Sequence, residues 1–505
     1  MPNENSFLKS GVSLTLTKTT ILRCSQFKSG AFPSEAILRT YIIGERKPNL
    51  PVVSIAIDPI QMFDSTSGIY ATGLNASSNY PYFGANYWEE IEFPVQIDFF
   101  ENGAKFAWTY PASLGIFGNY SRANPKKSVV IEFKEKSGQK NLKYALFPEY
   151  PELQKFKNFI LRNNGGNFGK DYIRDMLMSS LTDGLGLDYQ KGRAAIVYYN
   201  GKYFGIHNLR ERSNAEYFET NYGIDKNNID LVKGNGEVSH GSDADFQSIL
   251  SWLNGLNAMS DADVAELSKK IDLNNYTNYI QSEIYFLNKD WLANNLKRWR
   301  SNLPETKWKW FLYDTDFGFG GYDDPPGVKM FDFATEANGP EYPNPPHSTL
   351  ITRRLFANEN YRNTFINRFS FLLATQFAPA NVSAKINSLM QAIASEIPLD
   401  QKRWNLSAAK MDAELEVIRE FGKNRPTEMQ KEIEDFFDLG KSYKFTLSKT
   451  GNAKVFIHDL PIFGDAAVFT VYEGVPVKIK MISSAGETIE RVFEVVSDTA
   501  FVASY

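Results

Sequence analysis

The sequence predicts an α+β protein with a strand-rich, mixed first lobe and a helical second lobe, flanked by small β-modules. Three observations lead there. The chain has 505 residues, more than one hydrophobic core organises, so two or three domains are expected. Apolar and polar residues alternate through much of the chain up to Leu209, and helical spacing dominates afterwards. Alternation returns beyond residue 441.

The elements follow in order. Residues 1–45 read as short strands, Val12–Leu16 and part of Ala36–Ile43, separated by turn-forming Lys28-Ser29-Gly30 and Pro33-Ser34. This stretch is too short for a sandwich and reads as the tail end of a β-domain. Leu50–Ile57 opens the next region. Strands are expected at Val95–Phe100, Lys105–Trp108, Val129–Phe133 and Asn158–Asn163, the last followed by a Gly165-Gly166 loop. A helix is expected over Asp171–Leu181, where Ile173, Met176, Leu177 and Leu181 share a face. Ala194–Tyr199 and Tyr203–Leu209 flank Asn200-Gly201, the dipeptide that favours a two-residue hairpin. Helical patterns fill Asp243–Phe286 and Asn358–Phe437, with the Gly- and Pro-rich stretch Gly318–Pro346 between them. Five strands are then expected at Tyr443–Leu447, Lys454–Ile457, Val468–Tyr472, Val477–Met481 and Val492–Val496.

Composition removes several function classes. A hydrophobic content of 43% and a charged content of 23% are globular values and exclude disorder. A net charge of −4 without a basic domain argues against nucleic acid as a partner. The single cysteine, Cys24, excludes a disulfide framework and a cysteine-built zinc site. His207, His240, His347 and His458 are scattered, with no pair at ligand spacing. No apolar run is long enough to span a bilayer. The amino terminus, Met1-Pro2-Asn3-Glu4-Asn5, lacks a signal-peptide pattern, so the protein is cytosolic or its export signal has been removed.

The chemistry concentrates in two acidic segments. Asn288-Lys289-Asp290-Trp291-Leu292-Ala293-Asn294-Asn295 places an Asn five positions after an Asp, and Asp314-Thr315-Asp316-Phe317-Gly318 follows. That is the order of acidic parts in a protein-kinase active site. Phosphoryl transfer needs a carboxylate at the attacking hydroxyl, and an amide and a carboxylate to hold magnesium on the phosphates. Asp290 fits the first role; Asn295, with Asn294 as a rival, fits the second. Asp314 and Asp316 end a strand-like aromatic run and, in extended backbone, face one side together. Two crowded carboxylates repel unless a cation relieves them, which magnesium does. A polar loop at a helix end is the plain alternative for Asp290, an acidic turn for Asp314 and Asp316, and a solvated turn the better reading of Asp323-Asp324.

A cation on the phosphates is expected upstream. Gly118-Asn119-Tyr120-Ser121 offers backbone N–H groups and the Ser121 hydroxyl, and Lys126-Lys127 follows at the start of a strand. In a strand the two lysines face opposite ways, so one of them reaches the nucleotide. A basic hairpin turn is the plain alternative. Arg162, with Asn163, Asn164 and two glycines, forms a further phosphate-facing group, with Arg174 and Asp175 on the next helix. Glu211 ends the hairpin strand and is expected to pair with a lysine or arginine. Lys233-Gly234-Asn235-Gly236 reads as a turn.

These motifs, in this order, resemble the CotH kinase family, the atypical kinases named for a spore-coat protein. The resemblance runs through Gly118–Ser121, Pro125–Ser128, Leu161–Asn163, Ile173–Asp175, Tyr199–Gly205 and Leu209–Glu211. It continues through Asn288–Asn295, Trp299-Arg300, Trp310, Asp314–Asp316, Arg403-Trp404 and Arg425-Pro426. It implies a bilobal, atypical protein-kinase-like domain over residues 46–440 that uses ATP and Mg²⁺ to phosphorylate Ser or Thr of a protein. It implies Asp290 as the catalytic Asp, Asp314 as the principal metal ligand assisted by Asp316 and Asn295, and Lys126 or Lys127 as the nucleotide lysine. Phe117 stands where the family usually has Arg, which weakens that loop's phosphate grip. Residues 1–45 resemble part of a chitobiase C-terminal-like β-module, which favours export to the cell surface; residues 441–505 form a small all-β module. The competing expectation is a non-catalytic surface or scaffold protein that binds glycan or protein through its β-modules and aromatic residues.

Overall fold

The computed structural model describes residues 13–34, 36–44, 48–135, 138, 140–340 and 344–504. The fold is α+β. Two compact units result, each built from separated segments of chain. The first takes the chain up to Tyr172 together with Lys191–Arg212 and Leu389–Met411; the second takes Ile173–Gln190, Ser213–Ser388 and Asp412–Tyr505.

The first unit is organised by a closed barrel. Its strands run in the order Gly192–Tyr199, Lys202–Arg210, Asn158–Arg162, Ser128–Glu132, Lys105–Phe117, Glu92–Glu101 and Val52–Ala56. Every neighbour pair is antiparallel except the closing one, where Ile196 lies beside Val52 and Tyr199 beside Ile55 in parallel. Alternate residues point inward, and Val53, Ile55, Ile97, Phe99, Leu114, Ile131, Phe159 and Val197 form the core. Each such side chain contributes about 1.5–3 kcal/mol by leaving water. The expected hairpin is present: Asn200 and Gly201 both take positive φ, 50° and 78°, between antiparallel strands. The short strand expected at Lys105–Trp108 continues to Phe117, because Pro111 and Gly115 are accommodated within its pairing to Glu92–Glu101.

Before the barrel, Thr20–Cys24 pairs antiparallel with Ile37–Tyr41. Val12 and Glu35 lie outside the described residues, and Ser13–Leu16 form no strand. The ribbon is fastened by the Thr40 N–H donating to Asp98 at 2.6 Å.

The second unit holds a five-stranded sheet in the order Asp188–Tyr189, Lys309–Leu312, Leu296–Ser301, Ile229–Lys233 and Val238–His240. The helix Leu273–Phe286 packs on Lys309–Leu312. Asn275 fixes that contact, its amide oxygen accepting from the Trp310 N–H at 2.6 Å. The expected helical stretches are present as Ala244–Gly255, Asp261–Lys270 and Leu273–Phe286, and later as Glu359–Ala374, Pro379–Ile393, Ile397–Trp404 and Ala408–Phe436. The first expected helix, Asp171–Leu181, is shorter at Arg174–Leu181.

The C-terminal strands form two small sheets, one of three strands and one of four. Four of the expected strands are present; the fifth shifts to Thr488–Phe493, and Thr499–Ala503 adds a parallel partner to Ser442–Lys449. His458 ties them to Glu359–Ala374, its Nε2 accepting from the Lys478 N–H at 3.0 Å beside the Asn367 amide. Among the described residues no helix is long and apolar enough to cross a membrane.

Candidate functional site

Strand register brings the two acidic segments together. Leu296 pairs with Leu312 in an antiparallel ladder. The entry of one strand therefore lies beside the exit of the other. Asp290–Asn295 feeds the first, and Asp314–Asp316 leaves the second.

The Asp290 carboxylate is held by both candidate amides. Asn294 Nδ2 donates to Oδ1 at 2.6 Å and Asn295 Nδ2 to Oδ2 at 2.9 Å. Burial, with the charge of Asp316 added to it, raises the Asp290 carboxyl above the ordinary aspartate range against the pull of these amides. With its NH₂ group on Asp290, Asn295 has only its amide oxygen to offer a metal ion. Asp316 is buried and Asp314 half-buried. The strand ends at Leu312, and Asp314 takes a left-handed φ of 57°. The extended backbone that would align Asp314 with Asp316 is therefore not what positions them. Asp175, on the helix Arg174–Leu181, does: its Oδ1 accepts from the Thr315 N–H at 2.9 Å and the Thr315 hydroxyl at 3.0 Å. The literal Asp316-Phe317-Gly318 continues into a tight turn in which the Phe317 and Tyr322 rings stack at 4.3 Å. Burial and the charges of Asp290, Asp316 and Asp324 push the Tyr322 phenol up to about 12.

The loops are strained and braced. Leu287, Leu292, Asn295, Asp314 and Phe319 all take positive φ between 43° and 83°. Such residues cost on the order of 1–3 kcal/mol each and persist where the surroundings over-determine them. The bracing is visible. The Arg425 guanidinium, wholly buried, donates to the terminal carbonyls of Ile284 and Tyr285 at 2.9 and 3.2 Å. The Ala293 N–H donates to Asn344 Oδ1 at 2.8 Å. A Cβ on Gly234 would sit 2.8 Å from the Leu292 carbonyl, so the Lys233–Gly236 turn, read from sequence as only a turn, backs the Asp290 loop and requires glycine there.

One further acid stands behind this centre. Glu283 is fully buried on Leu273–Phe286, and burial pushes its carboxyl up to about 8. In the unfolded chain it ionises near the ordinary glutamate value of 4.5. Between these two values the folded protein binds the extra proton, so stability falls as pH rises through the window. Glu283→Gln should remove that slope, at most about 1.4 kcal/mol per pH unit, in urea unfolding followed from pH 5 to 8. An unchanged slope would count against a protonated Glu283.

The first unit carries the cationic candidates. Lys126 and Lys127 precede the strand Ser128–Glu132 and both are buried. The Lys126 ammonium pairs with Asp400 at 2.8 Å and donates to the Ile206 carbonyl at 2.9 Å. The Lys127 ammonium donates to the carbonyls of Arg122 and Asn124 at 2.6 and 3.1 Å and lies 3.7 Å over the Tyr87 ring. Burial alone pushes Lys127 down to about 7. Its ammonium thus pins the turn that contains Ser121. Asn163 joins that turn to the next strand, donating to the Lys126 carbonyl at 2.5 Å and accepting from the Ser128 hydroxyl at 2.8 Å. Arg162, buried, lines a small cavity with Lys126, Asn164, Asp171 and His207. Glu211, buried, accepts from the Lys191 N–H at 3.0 Å, with the Lys191 ammonium at 3.7 Å. The Arg212 guanidinium lies 5.8 Å over the Phe117 ring, at the position where the family pattern departs.

Sequence reasoning missed Asp400, Glu283, Asn344 and the structural use of Asp175 and Gly234. For Asp400 a signal stood nearby, since Arg403-Trp404 was already part of the recognised pattern. Trp404 Nε1 donates to the Phe204 carbonyl at 3.0 Å, one turn beyond Asp400 on the same helix. Among the described residues no three His, Cys, Asp or Glu side chains group closely enough to hold a metal ion unaided.

The α+β fold thus gathers an amide-held aspartate and a second acidic loop at adjoining strand ends. The chain belongs to the CotH kinase protein family, whose match covers residues 114–429, more than half of its length. Every candidate residue named from the sequence falls within that span. No curated protein matches the chain.

Proposed function

We propose that this chain is a protein kinase of the CotH type, transferring the γ-phosphoryl group of ATP to Ser or Thr hydroxyls of a protein acceptor with Mg²⁺. The observation that carries this reading is the Asp290 carboxylate, held by Asn294 and Asn295 and crowded by the charge of Asp316. Asp290 orients the acceptor hydroxyl and takes its proton. Asp314 and Asp316, with the Asn295 amide oxygen, would be the oxygen donors that hold Mg²⁺. That donor set suits a cation that takes one or two carboxylates and completes its shell with water and substrate phosphates. When bound, magnesium-ATP supplies the phosphoryl group and offsets the repulsion between the carboxylates. The family resemblance gives Lys126 or Lys127 the phosphate-facing role among the cations, and the resemblance of residues 1–45 to a chitobiase C-terminal-like module supports an exported, cell-surface location.

The test combines binding and transfer. Magnesium-ATP at a hundred times its Kd should stabilise the fold by about 2.7 kcal/mol, read as a rise in melting temperature. Labelled ATP should deposit one phosphate on the protein or an added acceptor. A well-folded protein with neither response would sink the reading. A second reading has its own support: Tyr80, Tyr82, Phe83 and Tyr120 form an exposed cluster of touching rings. In that reading the chain is a non-catalytic scaffold whose aromatic shelf stacks on surface glycan, and oligosaccharide, not magnesium-ATP, would raise the melting temperature.

A further inference from the structure

We infer that Glu283 is a positioning residue for the transfer step, acting through Asn288 on Asp290. This rests on the kinase reading of Asp290. Glu283 Oε2 accepts from Asn288 Nδ2 at 2.9 Å. Asn288 Oδ1 in turn accepts from the Asp290 backbone N–H at 3.2 Å. The Asn288 N–H donates to the Glu283 carbonyl at 3.3 Å, so the same residue is fixed at both backbone and side chain. Both Glu283 and Asn288 have no exposed surface.

The geometry carries a specific consequence. An asparagine amide has a donor end and an acceptor end that differ little in shape. Only the acceptor end satisfies the Asp290 N–H. Glu283 selects that orientation by accepting from the other end. Without it, an amide flip places NH₂ against N–H, and the first residue of the strained Asp290–Asn295 loop loses its anchor. A buried carboxyl without a cation is costly, and among the described residues no Lys or Arg forms an ion pair with Glu283. The titratable groups that face it are Tyr279 one turn earlier on its own helix, Asp290 from the loop, and Tyr313 from the strand end. The Tyr279 hydroxyl hydrogen-bonds the Glu283 carboxyl, while the charge of Asp290 opposes its ionisation. An acid kept at such a place, one amide away from the catalytic Asp, is explained by what it orients.

The experiment compares Glu283→Ala and Glu283→Gln with the unaltered protein in two readouts. In transfer kinetics, Glu283→Ala should lower kcat by about 10–100-fold, the range found when an outer partner of a reactive residue is removed, with KM for ATP unchanged. Glu283→Gln keeps an acceptor oxygen for Asn288 and should restore most of the rate. In hydrogen exchange, which needs no turnover, Glu283→Ala should speed exchange of the Asp290 amide selectively, and Glu283→Gln should not. A purely structural role would instead lower the melting temperature and speed exchange along the whole helix. Unchanged kcat in Glu283→Ala, failure of Gln to restore it, or unchanged exchange at Asp290 would each overturn the inference. If the unaltered protein transfers no phosphate, the kinase reading fails, and the exchange measurement still decides whether Glu283 orients Asp290.

Discussion

Asp290→Ala is expected to lower kcat for phosphoryl transfer by about 10²–10⁴-fold, the usual contribution of a positioned acid–base group. Its melting temperature should stay level or rise. The stability half of that expectation follows from what Asp290 costs the fold. Its carboxyl is largely buried, it sits in the field of Asp316, and two amides are its compensation. Removing it relieves the repulsion and leaves Asn294, which is exposed, and Asn295, which is half-buried, able to find water. Asp290→Asn should be equally inactive for another reason. A side-chain amide cannot accept the acceptor hydroxyl's proton, and its NH₂ would oppose one of the two donor amides. Magnesium-ATP binding should survive both changes within a few-fold, because the proposed metal donors are on the Asp314–Asp316 loop and Asn295. The measurement is single-turnover transfer beside calorimetric unfolding. More than a tenth of the normal rate in Asp290→Ala would remove Asp290 from the chemistry.

Much of this was readable in the chain, and the boundary between readable and unreadable is physical. Local signals carried well. Asn200-Gly201 fixes its own hairpin because both residues accept positive φ, and helical spacing places Leu273–Phe286 without reference to anything distant. The order of acids was also legible, since Asp290, Asn295, Asp314 and Asp316 lie within one short stretch. Partnerships across long separations did not. Barrel closure depends on Val52–Ala56 finding Gly192–Tyr199 in parallel. Asp400 reaches Lys126 over a separation of 274 positions. Backbone exceptions were equally silent: period-two alternation assumes extended geometry, and Asp314 leaves it. Asp175 illustrates the mixture. Its place on a helix was legible, next to the Arg162 group read as phosphate-facing, but not what its carboxylate holds. It accepts two hydrogen bonds from Thr315, and Arg174 pairs with Glu414 at 3.1 Å. Residue type told where charge would gather; only register told what each charge holds.

The largest stability effect expected is at Asp400. Its carboxylate collects four hydrogen bonds: two from the Lys126 ammonium at 2.8 and 3.0 Å, one from the Ile206 N–H at 2.8 Å and one from the Tyr172 hydroxyl at 2.9 Å. Asp400 is fully buried and Lys126 nearly so. Asp400→Ala strands a buried ammonium, a buried N–H and a buried hydroxyl together, and breaking such a pair costs about 3–5 kcal/mol. That is a large share of the roughly 5–15 kcal/mol that holds a domain. Gly205→Ala should act through the same point, because Gly205 has a φ of 87° and an added Cβ would run into the Asp400 carboxylate. The discriminating variant is the double replacement Lys126→Met with Asp400→Leu. It removes both charges, so it should recover much of the loss seen in Asp400→Ala, giving strongly non-additive unfolding free energies in urea. Additive losses would mean that the pair does not act as a unit. The double variant also separates two uses of Lys126. If it folds well but no longer binds magnesium-ATP, Lys126 is held by Asp400 for the nucleotide; if it folds and still binds, the pair serves only the packing of the helix Ile397–Trp404 on the barrel.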